Sequence, residues 1–96
     1  MTKDELSLLL FFEACATDYG GRVDTKRMNS DDMVIAKKWK EDGFIDFGRI
    51  RLKDINSQGD HWVCLSAPAI EAAHAERKAR AMRMWEKRSF NKTNEK

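Results

Sequence analysis

Trp39-Lys40-Glu41-Asp42-Gly43-Phe44-Ile45 is the stretch on which the reading of this chain turns. Trp39 closes a helical pattern, Gly43 stops it, and Phe44 and Ile45 open an extended segment. Glycine just past a helix accepts the left-handed backbone that ends it. The stretch is therefore a helix-to-strand junction with apolar residues on both sides.

Upstream, Asn29 or Ser30 caps the helix, and Asp31 and Asp32 lie in its first turn, where negative charge suits the helix dipole. Met33, Ile35, Ala36 and Trp39 carry the pattern to Asp42. Before it, Asp24 caps a short turn over Thr25 to Met28, and Arg22-Val23 reads as a strand of one bridge. Gly20-Gly21 ends a first helix that is capped by Thr2 or Asp4 and reaches about Tyr19. Its stripe is Leu6, Leu9, Leu10, Ala14 and Thr17, widened by Leu8, Phe11, Phe12 and Cys15. A helix this apolar is buried on more than one side or meets a partner.

Downstream, Phe44 to Lys53 reads as a strand, and from Arg49 on apolar and basic residues alternate with a strand's period of two. Ile50 and Leu52 are expected to face the core opposite Val63 and Leu65, with Arg49, Arg51 and Trp62 on the outer face. Asp54 to Asp60, containing Asn-Ser-Gln-Gly, is a turn, and His61 to Leu65 the return strand. Ser66-Ala67-Pro68 starts a long helix with a capping serine and an early proline. It is expected to end near Ser89, with Ala69, Ala72, Ala73, Ala75, Ala79 and Met82 as its apolar stripe. Phe11, Phe12, Trp39, Phe44 and Trp62 are expected in the core, and Trp85 and Phe90 at an interface. The organisation is thus a core over residues 1–74, a basic helix over 66–89 and a flexible tail over 90–96.

Composition narrows the class. The 96 residues are 42% hydrophobic and 35% charged, which is globular composition with a heavily charged surface. The longest apolar run, Leu8 to Phe12, falls far short of the roughly 18 residues that span a membrane. The N-terminus has no signal-peptide pattern, so a cytoplasmic location is expected. Two cysteines, Cys15 and Cys64, do not make a disulfide framework. The net charge of +2 is unevenly spread. Residues 75–96 hold eight Lys/Arg against three Asp/Glu, and residues 1–74 ten against thirteen.

The order helix, short turn, helix, hairpin, long helix, with its junction at Trp39 to Ile45 and the exit Trp62-Val63-Cys64-Leu65-Ser66, resembles the winged helix-turn-helix superfamily in a MarR-like arrangement. The chain departs from that pattern between Val23 and Trp39, where the usual second helix is cut to about one turn. The style is similar to that of small phage and mobile-element proteins. The fold class expected is α+β, mainly α.

That resemblance implies a transcriptional regulator that binds double-stranded DNA. The nucleic-acid candidates are Lys26 and Arg27 in the turn, Lys37, Lys38 and Lys40 on the helix, and Arg49, Arg51 and Lys53 on the wing. Lysine and arginine supply phosphate contacts, and arginine's forked donors also read a base edge or a narrow groove. Asp31 and Asp32 at the head of the helix oppose phosphate. They favour an alternative, a protein-interaction module or phage-type inhibitor acting on a host protein through Asp31, Asp32 and Met33. Met82 and Trp85 on the last helix are candidates for a homodimer or other protein contact. His61 and Cys64, three apart on a strand, point to opposite faces. No metal, cofactor or enzyme activity is expected, since neither ligand spacing nor a phosphate loop is present.

Overall fold

The computed structural model describes residues 1–56 and 59–94, with the side chains of the last helix described as far as Arg88. Three helices surround a three-stranded antiparallel sheet: α1 (Lys3–Asp18), β1 (Arg22–Val23), α2 (Ser30–Glu41), β2 (Ile45–Arg49), β3 (His61–Leu65) and α3 (Ala67–Asn94). A 3₁₀ turn, Thr25–Arg27, stands before α2, and a second, Leu52–Asp54, stands in the β2–β3 connection. The strand order is β1-β3-β2, so the return strand of the hairpin is central.

Side-chain oxygens fix where the helices begin. Thr2 and Glu5 form a reciprocal cap on α1, and Asn29 and Asp32 do the same on α2. Asp24 accepts from Lys26 N–H at the first 3₁₀ turn. Ser66 donates to the Phe44 carbonyl at 2.6 Å and accepts from Ala69 N–H at 3.2 Å, tying the start of α3 to the start of β2.

The junction after α2 closes as the sequence requires. Gly43 has φ of +76°. Its N–H reaches the Lys40 carbonyl at 3.2 Å, and Phe44 N–H reaches back to Trp39 at 2.9 Å. Phe44 then sets its ring against Trp39 edge-on, with centroids 5.3 Å apart. This is the hydrogen-bond pair and apolar contact that satisfy the last carbonyls of a helix.

α1 lies at the centre and packs against α2, α3, β1 and β3. Its buried residues are Leu8, Leu9, Phe12 and Cys15, so of the expected stripe Leu9 is buried, the other three come from the set expected only to widen it, and Thr17 is exposed. Phe12 is fully buried between Trp39 (6.4 Å) and Phe47 (5.6 Å). Val23, Ala36, Ile45, Val63, Ala69 and Ala73 complete the core.

The sheet register corrects the hairpin reading. Ile45 pairs with Leu65, Phe47 with Val63 and Arg49 with His61. Ile45 and Phe47 are the inward residues, and Leu52 has left the strand and is 90% exposed. Arg49 stands opposite buried His61, on the face away from Trp62, which pairs with Gly48. Trp62 is not a core residue. Its indole lies flat against Gly48, where a Cβ would fall 2.7 Å from the ring. The outer edge of β2 is blunted by Asp46, whose carboxylate accepts from Phe47 N–H at 3.0 Å.

α3 also differs from expectation. It runs to Asn94, so residues 90–94 of the expected tail are helical, while 95 and 96 lie outside the described residues. Ala69 and Ala73 are buried and Ala72 and Ala79 half-buried, but Ala75 and Met82 are exposed. The side chain of Phe90 lies outside the described residues.

Candidate nucleic-acid interface

The wing is anchored at its base by one carboxylate. Asp60 accepts from Thr25 N–H at 3.1 Å, and the Thr25 hydroxyl lies 3.0 and 2.8 Å from its two oxygens. Its own N–H donates to the Val23 carbonyl, and its carbonyl accepts from Ile50 N–H, each at 3.0 Å. Asp60 therefore joins β1, the Thr25–Arg27 turn and both arms of the hairpin. Burial pushes the Asp60 carboxyl upward, but the Thr25 hydrogen bonds, the neighbouring His61 and its own N–H outweigh this and hold it at about 2. His61 is stacked on Phe47 at 5.1 Å, with Nδ1 3.3 Å from Asp60. That approach is off the line a hydrogen bond needs, and it becomes an ion pair when the ring is protonated.

Beyond this base the hairpin carries its cationic side chains outward. Arg49, Arg51 and Lys53 are exposed. The Leu52–Asp54 turn is closed by Asp54 N–H donating to Arg51 at 2.8 Å, and Arg22 Nη1 donates to the Asp54 carbonyl at 3.1 Å. Arg22 was not among the sequence candidates. Its pairing with Trp62 across β1 and β3, which sets it beside the wing, is a tertiary fact with no local signal.

On α2, Lys37, Lys38 and Lys40 are exposed, while Ala36 and Trp39 face the core. Helical spacing places Asp31, Val34, Lys38 and Glu41 in one outward row with Lys37 beside it. With Lys37 counted, this face balances two acids against two lysines around an exposed valine. Asp32 is committed to the cap of α2, accepting from Asn29 N–H at 3.1 Å, so Asp31 is the acid of that pair that projects. Met33 is half-buried against the core and is not an open contact residue. In the turn before α2, Lys26 is exposed and the Arg27 guanidinium sits 5.1 Å from the Phe11 ring centroid. Arg27 is thus partly engaged by its own fold.

α3 divides its charges. Arg77 binds Glu13 of α1 at 2.8 Å, and Glu76 is shared by Arg80 and Arg83 at 2.9 and 3.2 Å. The Arg80 and Arg83 hydrogen bonds hold the Glu76 carboxyl below its usual range. Farther along, Met82, Met84 and Trp85 are exposed, Trp85 to 65%. Met82 and Trp85 thus stand on a different element from Asp31, Asp32 and Met33. Among the described residues, no group of three or more His, Cys, Asp or Glu is placed to hold a metal ion. None of the described helices is long and apolar enough to cross a membrane.

No protein-family model and no curated protein matches the chain. Among solved structures, it is similar to a reported archaeal mechanosensitive channel described as a structural homolog of MarR-like transcriptional regulators. The TM-score is 0.63 and the identity 24%, over 93% of this chain and 75% of that one. The fold is a MarR-like winged helix.

Proposed function

We propose that this chain is a winged-helix regulator of transcription that binds double-stranded DNA, with the Arg49/Arg51/Lys53 wing on the backbone or minor groove and α2 toward the major groove. The observation that carries the reading is the wing itself. Three exposed cations follow one another at alternate positions on a hairpin whose base is locked by Asp60. Lys37 and Lys38 add phosphate contacts from α2, and Lys26 from the preceding turn. Asp31 weighs against close base readout at the head of α2, so the wing supplies most of the electrostatic attraction. The likeness to a homolog of MarR-like regulators supports the same assignment. Two copies would associate through the exposed Met82 and Trp85 of α3.

The test is fluorescence anisotropy with mixed genomic duplexes. About five phosphate contacts per protomer would cost a few hundredfold in affinity between about 50 and 200 mM salt. Arg49→Ala and Arg51→Ala are each expected to weaken binding and lower the salt slope by about one. Unchanged binding in both removes the wing from the interface.

A second reading, an interaction module that applies the same scaffold to another protein, draws on the outward row of α2. Val34 is 66% exposed at the middle of that charge-balanced face. A partner retained from nuclease-treated lysate and lost in Val34→Asp would favour this reading over DNA.

A further inference from the structure

We infer that Leu52 is an apolar wedge which the wing drives between base pairs from the minor groove; this deepens the DNA-binding reading above and rests on it. Leu52 is 90% exposed, the most exposed of the large hydrophobic residues described. It is not among the residues of the core or packed against it, and it lies past the end of β2, whose inward positions Ile45 and Phe47 hold. It is also fixed in place. The turn that carries it is closed by Asp54 N–H on Arg51 and Ile55 N–H on Leu52, and Arg22 grips the same turn from β1. A side chain presented on an ordered turn loses little freedom when it inserts.

Its surroundings select the occupant. Arg51 and Lys53 flank it, with Arg49 one alternation earlier, all exposed. A protein interface would place an apolar anchor inside a wider apolar patch with charge at the rim. Here Leu52 stands between two cations, with Ile55, 41% exposed, and the acid Asp54 in the same turn. This apolar surface is narrower than such a patch and matches a polyanion with an apolar interior reachable between its charges. Duplex DNA has that structure: phosphates line the minor groove, and the base stack lies beneath. Proteins that kink DNA from the minor groove insert leucine or similar side chains in this way, and pyrimidine–purine steps yield most readily. The wedge thus gives the wing a preference for deformable steps without a base hydrogen bond.

The experiment uses the full chain and duplexes of about 30 bp with one central TA step, 2-aminopurine beside it and dyes at the ends. Wild type is expected to brighten the 2-aminopurine and bring the ends closer. Leu52→Ala, at an exposed position that leaves the fold intact, is expected to lose both signals while keeping the wild-type salt slope. Arg51→Ala is expected to do the opposite, keeping the brightening at saturation and lowering the slope by about one. Brightening and bending that persist in Leu52→Ala, or wild-type binding with a steep salt slope but neither signal, overturn the wedge and leave the DNA-binding reading standing. An absence of wild-type binding at about 50 mM salt overturns both.

Discussion

At the base of the wing, Asp60 engages Val23, Thr25 and Ile50 at once, and His61 stacks on Phe47 beneath it. At the other end of the same hairpin, Arg51 to Asn56 are all exposed, and the turn is held by a few backbone bonds and the grip of Arg22. The base stores the stability of the hairpin, while Arg51, Leu52 and Lys53 at the tip are exposed. Changes at the base should therefore be read in folding, and changes at the tip in binding.

The largest effect is expected from Phe47→Ala, which empties the space between Phe12 and His61 and should cost about 3–5 kcal/mol in thermal or denaturant unfolding. Gly59→Ala comes next. A Cβ there would lie 2.4 Å from the Val23 carbonyl oxygen and 2.8 Å from its nitrogen, so β1 must shift. Overpacking against backbone should cost about 2–3 kcal/mol by the same measurement. Thr25→Val removes the hydroxyl from Asp60 and should cost about 1–2 kcal/mol, the loss of a hydrogen bond to a charged group. The Asp60 carboxyl titrates at about 2 in the fold against an ordinary 3.8. Its contribution is thus complete above about pH 4 and is lost as pH falls toward 2. Asp60→Asn should flatten the stability curve across that window, and an unchanged acid limb would mean the latch carries no charge-dependent stability. The smallest folding effect belongs to Arg51→Ala at the tip, within about 0.5 kcal/mol of wild type. A loss above about 1 kcal/mol there would erase the contrast between base and tip.

Helix starts were legible to within a residue or two because each is written in oxygen-bearing residues: Asp24 and Ser66 cap as expected, and of the pairs Thr2 or Asp4 and Asn29 or Ser30 the caps are Thr2 and Asn29. The end of α2 was legible for the same local reason, a glycine followed by an apolar residue that folds back on Trp39. The hairpin register was not. Ile45 and Phe47 alternate in one phase and Ile50 and Leu52 in the opposite one, with Gly48 and Arg49 between them. Local period alone does not choose between two such phases. The core chooses, because Phe47 packs against Phe12 while Leu52 meets nothing comparable. Trp62 lies on the outer face as its strand period requires, but not in the core: an aromatic on a strand suggests burial, and the bare Gly48 that receives it lies on another strand. Of the candidate interface, the α2 cations were legible as basic residues at exposed periods and the wing cations as basic residues alone, since Arg49 falls in the phase of Phe47 and not on the face of Trp62. Arg22 and the Asp60 latch arise from pairings across more than thirty residues and leave no local trace.

One consequence belongs to α3. Its root is clamped at Ala69 and Ala73, and residues 81 to 88 stand clear of the core. Among the described residues, Arg77 on Glu13 is the last tie to α1; at about 1.5 Å per residue, the shaft from Arg77 to Trp85 is about 12 Å long. A tilt of about 10° at that tie then sweeps Trp85 through about 2 Å. Such a rod is a lever with its fulcrum at Arg77: small repacking beside α1 is magnified at Trp85, and whatever grips Trp85 gains the same mechanical advantage in reverse over the body that holds the wing.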